Sequence, residues 1–425
     1  MTFSFTVGTF LLIILGTIFI CVIRSLCRKD VIQGDIRRID KFMLISLFIH
    51  VIWAFLVGVL SNKGYYYLVW DDENYHNFAM RSINEASLYS TNLYNYFLRF
   101  LYDLFGRTTL TGRLTNFFFS IATIYPLANV EKRLNAKTEY TGTKFYAYSL
   151  FMAFISFFEI KDIIVMFLFV SSYALVKRIS EKRNMWHLLL LFSICLLSEQ
   201  FRSGTGVLPI AILVLSNIHA FGTTRLQRRF FLLFSVAILV VVGVYIGQDY
   251  LAEGTIRIER YQRWIFTQFS SESIYNWFVI TEITDIWKAP FCAVLYVMQP
   301  LDMLAGNMRY FSEFGMLAKA FDVPVLLFSV FTLPLYVRKE KWNSLFFVTL
   351  FLFISCINLT NARQGFFLYP LMYLIWYDGY LTIKRFGDDK TGRKRGIYRN
   401  YKSWKCCLIG FYIIWLAFVA YRLVF

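Results

Sequence analysis

Three consecutive acids are the strongest candidates for chemistry in this sequence. Asp71, Asp72 and Glu73 follow an apolar segment and come just before Tyr75 and His76. Adjacent carboxylates repel each other, so one of them can hold a proton near neutral pH and act as a general base. The same oxygens can instead bind a divalent cation, in which case Asp71 and Asp72 are the ligands. The structural alternative is a solvated loop whose acids cap a helix.

Three basic residues at the ends of apolar segments form a second candidate group. Lys161 and Arg202 lie in short connections between apolar segments, and Arg363 has no acid close to it in the sequence. A guanidinium can bind two phosphate oxygens at once, and an ammonium offers a compact positive charge. These residues therefore predict binding of an anionic group. The alternative is local ion pairing, of Lys161 with Asp162 and of Arg202 with Glu199.

Three further arginines recur at intervals of three residues. Arg257, Arg260 and Arg263 would share one face of a helix, where they can guide a phosphate or an anionic glycan. Glu253 and Glu259 lie among them, so a solvated, charge-balanced helix face is the alternative interpretation.

The composition excludes most soluble classes of protein. The chain has 425 residues, of which 58% are hydrophobic and 17% are charged, with mean hydropathy +0.52 and net charge +17. An average soluble domain has about 25% charged residues. A soluble nucleic-acid binder could carry this charge, but not with so little polar surface. The expected class is an all-α polytopic membrane protein forming a single transmembrane domain, with membrane lipids and no nucleic acid as partners.

Apolar segments predict about 11–13 transmembrane helices. The first, at 5–23, is followed rather than preceded by basic residues, which indicates a retained helix with an external N-terminus. The segment 291–305 is interpreted as re-entrant or as one of an extra pair. The other predicted spans are 42–60, 114–130, 145–158, 163–176, 187–199, 205–220, 230–247, 323–337, 343–357, 365–383 and 406–424.

The positive charges predict the orientation. Six loops that fall on the same side of these spans hold 29 of the 44 basic residues, and the positive-inside rule makes that side cytoplasmic. These loops are 24–41, 131–144, 177–186, 219–229, 338–341 and 384–405. The long loops 61–113 and 248–322 then lie outside, together with the candidate site residues. We therefore expect an integral multi-pass protein, with the bacterial plasma membrane as its location and its active site on the non-cytoplasmic face.

The first outer loop contains a predicted amphipathic helix. Apolar residues recur at helical spacing across 92–106 with polar residues between them, which is typical of a helix lying on the outer membrane interface. Arg99 and Asp103 count against the alternative, a true membrane span.

The order of these motifs resembles the GT-C class of membrane glycosyltransferases, and the resemblance covers residues 42–220. An acidic outer loop is followed by an amphipathic stretch, the first residues of a transmembrane span, a basic turn and two short helices that charged residues separate. The segments concerned are 71–73, 104–106, 113–116, 131–134 and 161–162. The chain departs from the class in its extra helix at 5–23 and in having no soluble C-terminal domain.

The resemblance implies a fold, an activity and a set of roles. The fold is a GT-C-like transmembrane helical bundle. The activity is inverting transfer of a hexosyl or related sugar from a polyprenyl-phosphate-linked donor, which is the co-substrate, to a lipid-linked glycan or cell-envelope acceptor in polysaccharide biosynthesis. A divalent metal is compatible with the acidic motif. The general base is Asp72 or Asp71, with Glu73, His76 and Tyr75 in support. The residues implied to bind the donor phosphate are Lys161, Arg202 and Arg363. Further candidate substrate contacts are Asp162, Glu199, Arg257, Arg260 and Arg263.

Two alternatives stay open. A Wzy-like polymerase of oligosaccharide repeat units would share the substrate class but depend on the outer-loop arginines more than on the acids. A flippase or transporter of lipid-linked sugars would place charges at the middle of helices and show an inverted repeat, and neither is evident in the sequence.

Overall fold

The computed structural model describes residues 7–28, 35–62, 70–80, 93–135, 138–181, 184–202, 205–216, 287–288, 318–329 and 366–387, with short pieces between 405 and 420. These residues are helical almost throughout and contain no strand. The helices are α1 (Val7–Arg28), α2 (Ile36–Asn62), α3 (Trp70–Met80), α4 (Leu93–Phe105), α5 (Thr109–Ala122), α6 (Ile124–Leu134), α7 (Thr141–Tyr148), α8 (Leu150–Ser156), α9 (Asp162–Glu181), α10 (Met185–Phe201), α11 (Val207–Ser216) and α12 (Tyr369–Gly387), the last preceded by a 3-10 turn, Phe366–Leu368.

Among the described residues, three helices are long and apolar enough to cross a membrane. They are Val7–Arg28, Ile36–Leu56 and Asp162–Glu181, and Met185–Phe201 is a shorter apolar helix. In the first two, 17% and 28% of the most apolar stretch is buried, against 67% in α9. Because α1 and α2 expose apolar side chains, their outer faces suit contact with lipid. The predicted spans 230–247, 291–305 and 343–357 lie outside the described residues.

Helix α9 lies at the centre of the bundle and packs on α5, α6, α10 and α11. The sequence predicted a short span at 163–176, whereas α9 runs for 20 residues, which is long enough to cross a membrane. The preceding predicted span, 145–158, is divided into α7 and α8 at Ser149. There the backbone becomes extended, and the Ser149 hydroxyl caps α8 by accepting a hydrogen bond of 2.9 Å from the Met152 amide.

The predicted span 114–130 is also interrupted, between α5 and α6. Pro126 has no amide hydrogen, so the carbonyl of Ala122 cannot receive its usual helical bond. Thr123 at the junction keeps a right-handed helical conformation and donates its amide to Phe119. The chain therefore continues in much the same direction across the break.

Three of the basic segments meet at one end of the bundle. Arg24 pairs with Asp40 at 2.7 Å, which joins the ends of α1 and α2. Asp35 accepts from the Tyr140 hydroxyl at 2.9 Å and from Lys132 at 3.2 Å, which joins 24–41 to 131–144. Burial opposes ionisation of Asp35, but the bonds from Tyr140 and Lys132 outweigh it and hold the pKa of this carboxyl below its usual value.

A buried glutamate fixes the second of these basic segments at the same end. Glu131 accepts hydrogen bonds from the Thr143 amide and hydroxyl, each at 2.7 Å, and from the Thr138 hydroxyl at 2.9 Å. Arg133 forms an ion pair with Glu181 at the end of α9, which brings in the segment 177–186.

Helices α3 and α4 lie at the opposite end. A Cβ added to Gly8 in α1 would lie 2.0 Å from the carbonyl oxygen of Phe105, so the start of α1 touches the end of α4. Tyr94 and Phe97 of α4 pack their rings against Phe201 at the end of α10. This end therefore gathers α3, α4 and the first or last turns of α1, α5, α9 and α10.

Helix α4 has the two-faced character expected from the sequence. Its buried face includes Leu98 and Tyr102, each 1% exposed. Tyr96, Phe100 and Leu104 form an exposed apolar stripe on the other face. The structure thus contains the predicted amphipathic helix, at Leu93–Phe105.

Candidate functional site

The acidic motif lies in a helix rather than in an open loop. Residues 71–73 belong to the first turn of α3. The side chains of Asp71, Asp72 and Glu73 lie outside the described residues, so their roles stay predictions. The packing of α3 on α4 is described further along: Tyr75 meets Tyr94 edge to face, with 4.8 Å between ring centroids. This contact turns the next residue, His76, inward.

His76, Tyr102 and Glu159 form one buried hydrogen-bonded chain. The Nδ1 atom of His76 lies 2.6 Å from the Tyr102 hydroxyl oxygen, and that hydroxyl donates to Oε1 of Glu159. Nδ1 also lies 3.6 Å from Oε2 of the same carboxylate. His76, Tyr102 and Glu159 are 7%, 1% and 0% exposed. Three separate segments thus supply an imidazole, a phenol and a carboxylate to one cluster.

The direction of these bonds defines the histidine tautomer. Tyr102 has a single hydroxyl proton, and in the chain above it goes to Glu159. For the short contact to be a hydrogen bond, Nδ1 of His76 must then carry a proton and donate to the Tyr102 oxygen. In the neutral imidazole this leaves Nε2 with the lone pair. His76 is therefore arranged to accept a proton at Nε2, with Tyr102 and Glu159 orienting the ring.

Helix α5 sets the position of Glu159. A Cβ added to Gly112 would lie 2.5 Å from Oε1 of Glu159, so the absence of a side chain at Gly112 lets the carboxylate approach the helix. One turn further on, the Asn116 amide donates to the carbonyl oxygens of Phe158 and Ile160, to the latter at 2.9 Å. Asn116 thus fixes the backbone on both sides of Glu159 by hydrogen bonds.

Arg113 adds a buried positive charge in the same region. Its side chain lies in α5 directly after Gly112 and is 1% exposed. The guanidinium carbon lies 5.9 Å from the centre of the Phe157 ring, a cation–π contact. In the sequence Arg113 is only the first residue of the segment 113–116, whereas its burial makes it a candidate for the site.

An ion pair lies on the other side of the same turn. Arg202 donates through Nη1 to Oδ1 of Asp162, the first residue of α9. The guanidinium also lies 6.0 Å from the centre of the Phe367 ring. Asp162 is 2% exposed, and the Arg202 side chain is 21% exposed. The predicted anion-binding residues Lys161 and Arg202 therefore meet at the turn that also carries Glu159.

The ion pair of Arg202 is not the local one considered as an alternative in the sequence. Arg202 pairs with Asp162, 40 residues earlier in the chain. Glu199 accepts a 2.9 Å hydrogen bond from the Gly206 amide. Asp162, the neighbour of Lys161, thus has Arg202 as a side-chain partner from a distant part of the chain. Other predicted site residues lie outside the described residues, namely Arg257, Arg260, Arg263 and Arg363.

The metal hypothesis rests on residues that cannot be placed. Within the described ranges no three His, Cys, Asp or Glu side chains group in a way that could hold a metal ion. The side chains of Asp71 and Asp72, the proposed ligands, lie outside the described residues. Metal binding at this motif therefore stays a prediction.

Sequence reasoning missed two residues of the hydrogen-bonded chain. Glu159 is an acid between two apolar segments, and that setting alone marks it as a functional candidate. Tyr102 gave no signal, because one tyrosine among the apolar residues of an amphipathic helix is typical of packing.

Two chemical functions meet at the turn formed by residues 159–162. His76 with Tyr102 and Glu159 can accept a proton, and Arg202 with Lys161 can attract an anion. Comparison of the chain with protein-family models, with curated proteins and with solved structures gave no match.

Proposed function

We propose that the protein is a membrane glycosyltransferase that uses a polyprenyl-phosphate-linked sugar as donor. The acceptor is a lipid-linked glycan or another cell-envelope molecule, and the reaction takes place at the non-cytoplasmic end of the bundle. The support is the cluster at the end away from the basic segments, where Glu159, bonded through Tyr102 to the proton acceptor His76, lies on the same short turn as Lys161 and as Asp162, the partner of Arg202. The resemblance of the motif order to the GT-C class points to the same reaction.

The chemical step needs one base and one anion site. The acceptor hydroxyl oxygen attacks the anomeric carbon as its proton moves to the base. The bond from that carbon to the phosphate oxygen breaks, and the polyprenyl phosphate leaves with the electron pair. Because attack and departure occur on opposite faces of the carbon, the anomeric configuration inverts. A base near neutrality and a fixed cation at the leaving oxygen stabilise this transition state.

Two groups are candidates for the base, and both belong to α3. His76 has Nε2 available as acceptor, with the carboxylate of Glu159 stabilising the imidazolium through Tyr102. Asp72 precedes His76 by four residues, so positions 72 and 76 share one face of the helix. In this proposal Asp72 or Asp71 either takes the proton directly or holds the acceptor hydroxyl beside His76.

The donor phosphate is bound by cationic side chains at and beside the turn 159–162. The guanidinium of Arg202 has five N–H donors, and its bond to Asp162 through Nη1 leaves others that can reach a phosphate. Lys161 adds a second positive charge beside it, and Arg363 is a third candidate. A polyprenyl chain would lie against the apolar outer faces of the helices, which makes the donor a membrane lipid rather than a soluble nucleotide sugar.

One observation carries the proposal: the buried chain of His76, Tyr102 and Glu159 lies three residues from the Asp162–Arg202 pair. Buried polar groups are costly unless they are satisfied, and ionisable groups in membrane proteins mark functional sites by default. A purely structural cluster has no need to combine an oriented imidazole with an adjacent cation.

The proposal is tested by measuring sugar transfer in membranes that contain the protein and a labelled polyprenyl-phosphate sugar. We expect His76→Gln to reduce transfer by at least about 10²-fold, the usual contribution of a general base. Asp103→Asn is the control, because Asp103 lies on the exposed side of α4 in an ion pair with Arg107. Full transfer by both Asp72→Asn and Asp71→Asn would assign the base to His76.

Two other outcomes would replace the proposal. Loss of transfer only with Arg257, Arg260 or Arg263 substituted would favour the repeat-unit polymerase. Movement of the lipid-linked sugar across a liposome membrane without any transfer would favour a flippase.

A further inference from the structure

A second polar cluster lies inside the bundle, away from the site described above. Lys319 and Asp322 are 0% and 4% exposed. Asp322 is the last residue of the predicted outer loop 248–322 and Lys319 lies three residues before it, in a setting where charges are normally solvated. The structure instead buries them against the junction of α7 with α8 and against α12. Two ionisable side chains among apolar helices are costly, and such groups mark functional sites by default.

Hydroxyl groups surround the Asp322 carboxylate. The Ser149 hydroxyl donates to Oδ2 of Asp322, and the Tyr373 hydroxyl lies 3.2 Å from the Ser149 oxygen. Asp322 thus sits at the point where the chain breaks between two helices, held by side chains from two other elements.

The charge of Lys319 is held beside this carboxylate by aromatic rings. Its Nζ atom lies 5.2 Å from the centre of the Phe151 ring and 5.8 Å from that of Tyr369. Each ring face attracts the ammonium, and a cation–π contact is stronger when the cation is desolvated. Aromatic ring faces from two elements thus surround the end of the Lys319 side chain.

Asp322 shares with Glu159 a bond from a hydroxyl group, whereas two other buried acids also face groups that can only donate. Glu131 accepts from the backbone amides of Gly142 and Thr143 as well as from two threonine hydroxyls, and Asp162 accepts from Arg202. Amides and guanidinium groups only donate, so a proton on the oxygen that faces one of them would leave a donor facing a donor. A hydroxyl both donates and accepts, so Ser149 and Tyr373 can turn to receive a proton from Asp322 as readily as they now donate.

We propose that Asp322 is a proton-binding site within the helical bundle, with Ser149 and Tyr373 as the groups that reorient and Lys319 as the fixed counter-charge. Binding forms one O–H bond on the carboxylate and changes the net charge of the pair from zero to +1. No other bond is made or broken. The ligand is a proton, and the site is independent of the proposed glycosyl transfer.

The titratable groups that face Asp322 come from each element packed against it. Lys319 lies on its own segment, and α12 contributes Tyr369 and Tyr373. Tyr412 donates to the carbonyl oxygen of Ala320 at 2.9 Å. At the junction of α7 and α8, the group bonded to Asp322 is the Ser149 hydroxyl, which does not titrate in this range. A carboxyl titration at this place therefore belongs to Asp322.

Infrared spectroscopy of the purified full-length chain in lipid vesicles tests the proposal, because a protonated carboxyl group has its own C=O stretching band. We expect wild-type protein to show a band that appears as the pH falls and that is missing from Asp322→Asn. Glu131→Gln is the matched control, since it removes another buried acid, and the band should persist in it. Size-exclusion chromatography and circular dichroism establish that each variant is folded.

Tyr373→Phe gives a second route if Asp322→Asn fails to fold. It removes the hydroxyl that donates to the Ser149 oxygen and so favours the bond from Ser149 to the ionised carboxylate. The band should therefore appear at higher pH than in wild type. The proposal is overturned if Asp322→Asn keeps every titrating carboxyl band of wild type. It is equally overturned if the band is present in wild type and its midpoint does not move in Tyr373→Phe.

Discussion

Gly112→Ala is a small change that should disable the site by displacing one carboxylate. The new methyl carbon would lie 2.5 Å from Oε1 and 2.8 Å from Cγ of Glu159, and 2.7 Å from a methyl carbon of Leu98. Ordinary contact begins at 3.4 Å, so Oε1 has to retreat by about 0.9 Å. The side chain of Glu159 can make this shift, but its hydrogen bond with Tyr102 cannot survive it unchanged.

The structure sets the expected magnitudes. Overpacking of a core position costs about 1–3 kcal/mol, and replacing a helical glycine by alanine returns about 1 kcal/mol. The net loss of stability should be at most about 2 kcal/mol. A misplacement of about 1 Å in a catalytic group can cost about 10²-fold in rate. Sugar transfer should therefore fall far more than folding does.

Gly16→Ala is the matched control, because it also adds a methyl group to a helical glycine in a tight contact. There the new carbon would lie 2.2 Å from the ring of Phe118, on an interface between α1 and α5 that does not include the site. We expect a similar loss of stability with sugar transfer per folded molecule preserved. Thermal unfolding and the transfer assay measure the two effects separately.

Histidine NMR gives a readout that does not depend on the proposed reaction. The chain has only four histidines, so the ring nitrogens of His76 can be assigned by comparison with His76→Gln. The Nδ1 resonance of His76 should change in Gly112→Ala and stay in place in Gly16→Ala. Equal losses of transfer in the two variants, or an unmoved Nδ1 resonance in Gly112→Ala, would refute the reasoning.

Three further predictions follow from single contacts. Tyr102→Phe leaves His76 and Glu159 without their bridging hydroxyl and should destabilise the protein by about 1–3 kcal/mol in denaturant unfolding while lowering transfer by about 10²-fold or more; an unchanged rate would remove Tyr102 from the site. Asp162→Asn should cost about 2–3 kcal/mol, less than a fully buried pair because Arg202 is 21% exposed, and should raise KM for the lipid-linked donor; an unchanged KM would separate this pair from donor binding. The pKa of Asp35 is lower in the folded than in the unfolded protein, so ionised Asp35 stabilises the fold at pH above its unfolded pKa, and this stabilisation is lost as the pH falls through its folded pKa. Tyr140→Phe removes one of the bonds that lower the folded pKa, so the melting temperature should fall less steeply with decreasing pH than in wild type. An unchanged acid-side slope of melting temperature against pH would contradict this prediction.

The sequence predicted the helical class and the grouping of charges better than the helix lengths. Apolar runs identify α1, α2 and α9, because a membrane-spanning helix needs a long apolar stretch whatever its neighbours are. The breaks at Ser149 and Thr123 were missed, since a serine or a threonine inside an apolar run is compatible with an unbroken helix. The break at Ser149 follows from the hydrogen bond that its hydroxyl accepts from the Met152 amide. The break at Thr123 follows from Pro126, which removes one helical hydrogen bond.

The site could be predicted only as far as local sequence carries information. His76, Lys161 and Arg202 stood out, because polar residues at the ends of apolar segments are unusual. Their partners come from distant parts of the chain: Tyr102 and Glu159 are 57 residues apart, and Asp162 and Arg202 are 40 apart. Such pairings depend on how helices pack, which hydropathy and spacing do not encode.

The central claim, that the cluster around Glu159 transfers a sugar from a lipid-linked donor, is tested most directly by single-turnover transfer in liposomes containing purified protein. Wild-type protein should transfer labelled sugar from a polyprenyl-phosphate donor to a membrane-derived glycan acceptor. Glu159→Gln should reduce that transfer by about 10²-fold or more, while Glu131→Gln, an equally buried change at the other end of the bundle, should retain it. Full transfer by Glu159→Gln, or no transfer by the wild-type protein, would contradict the account.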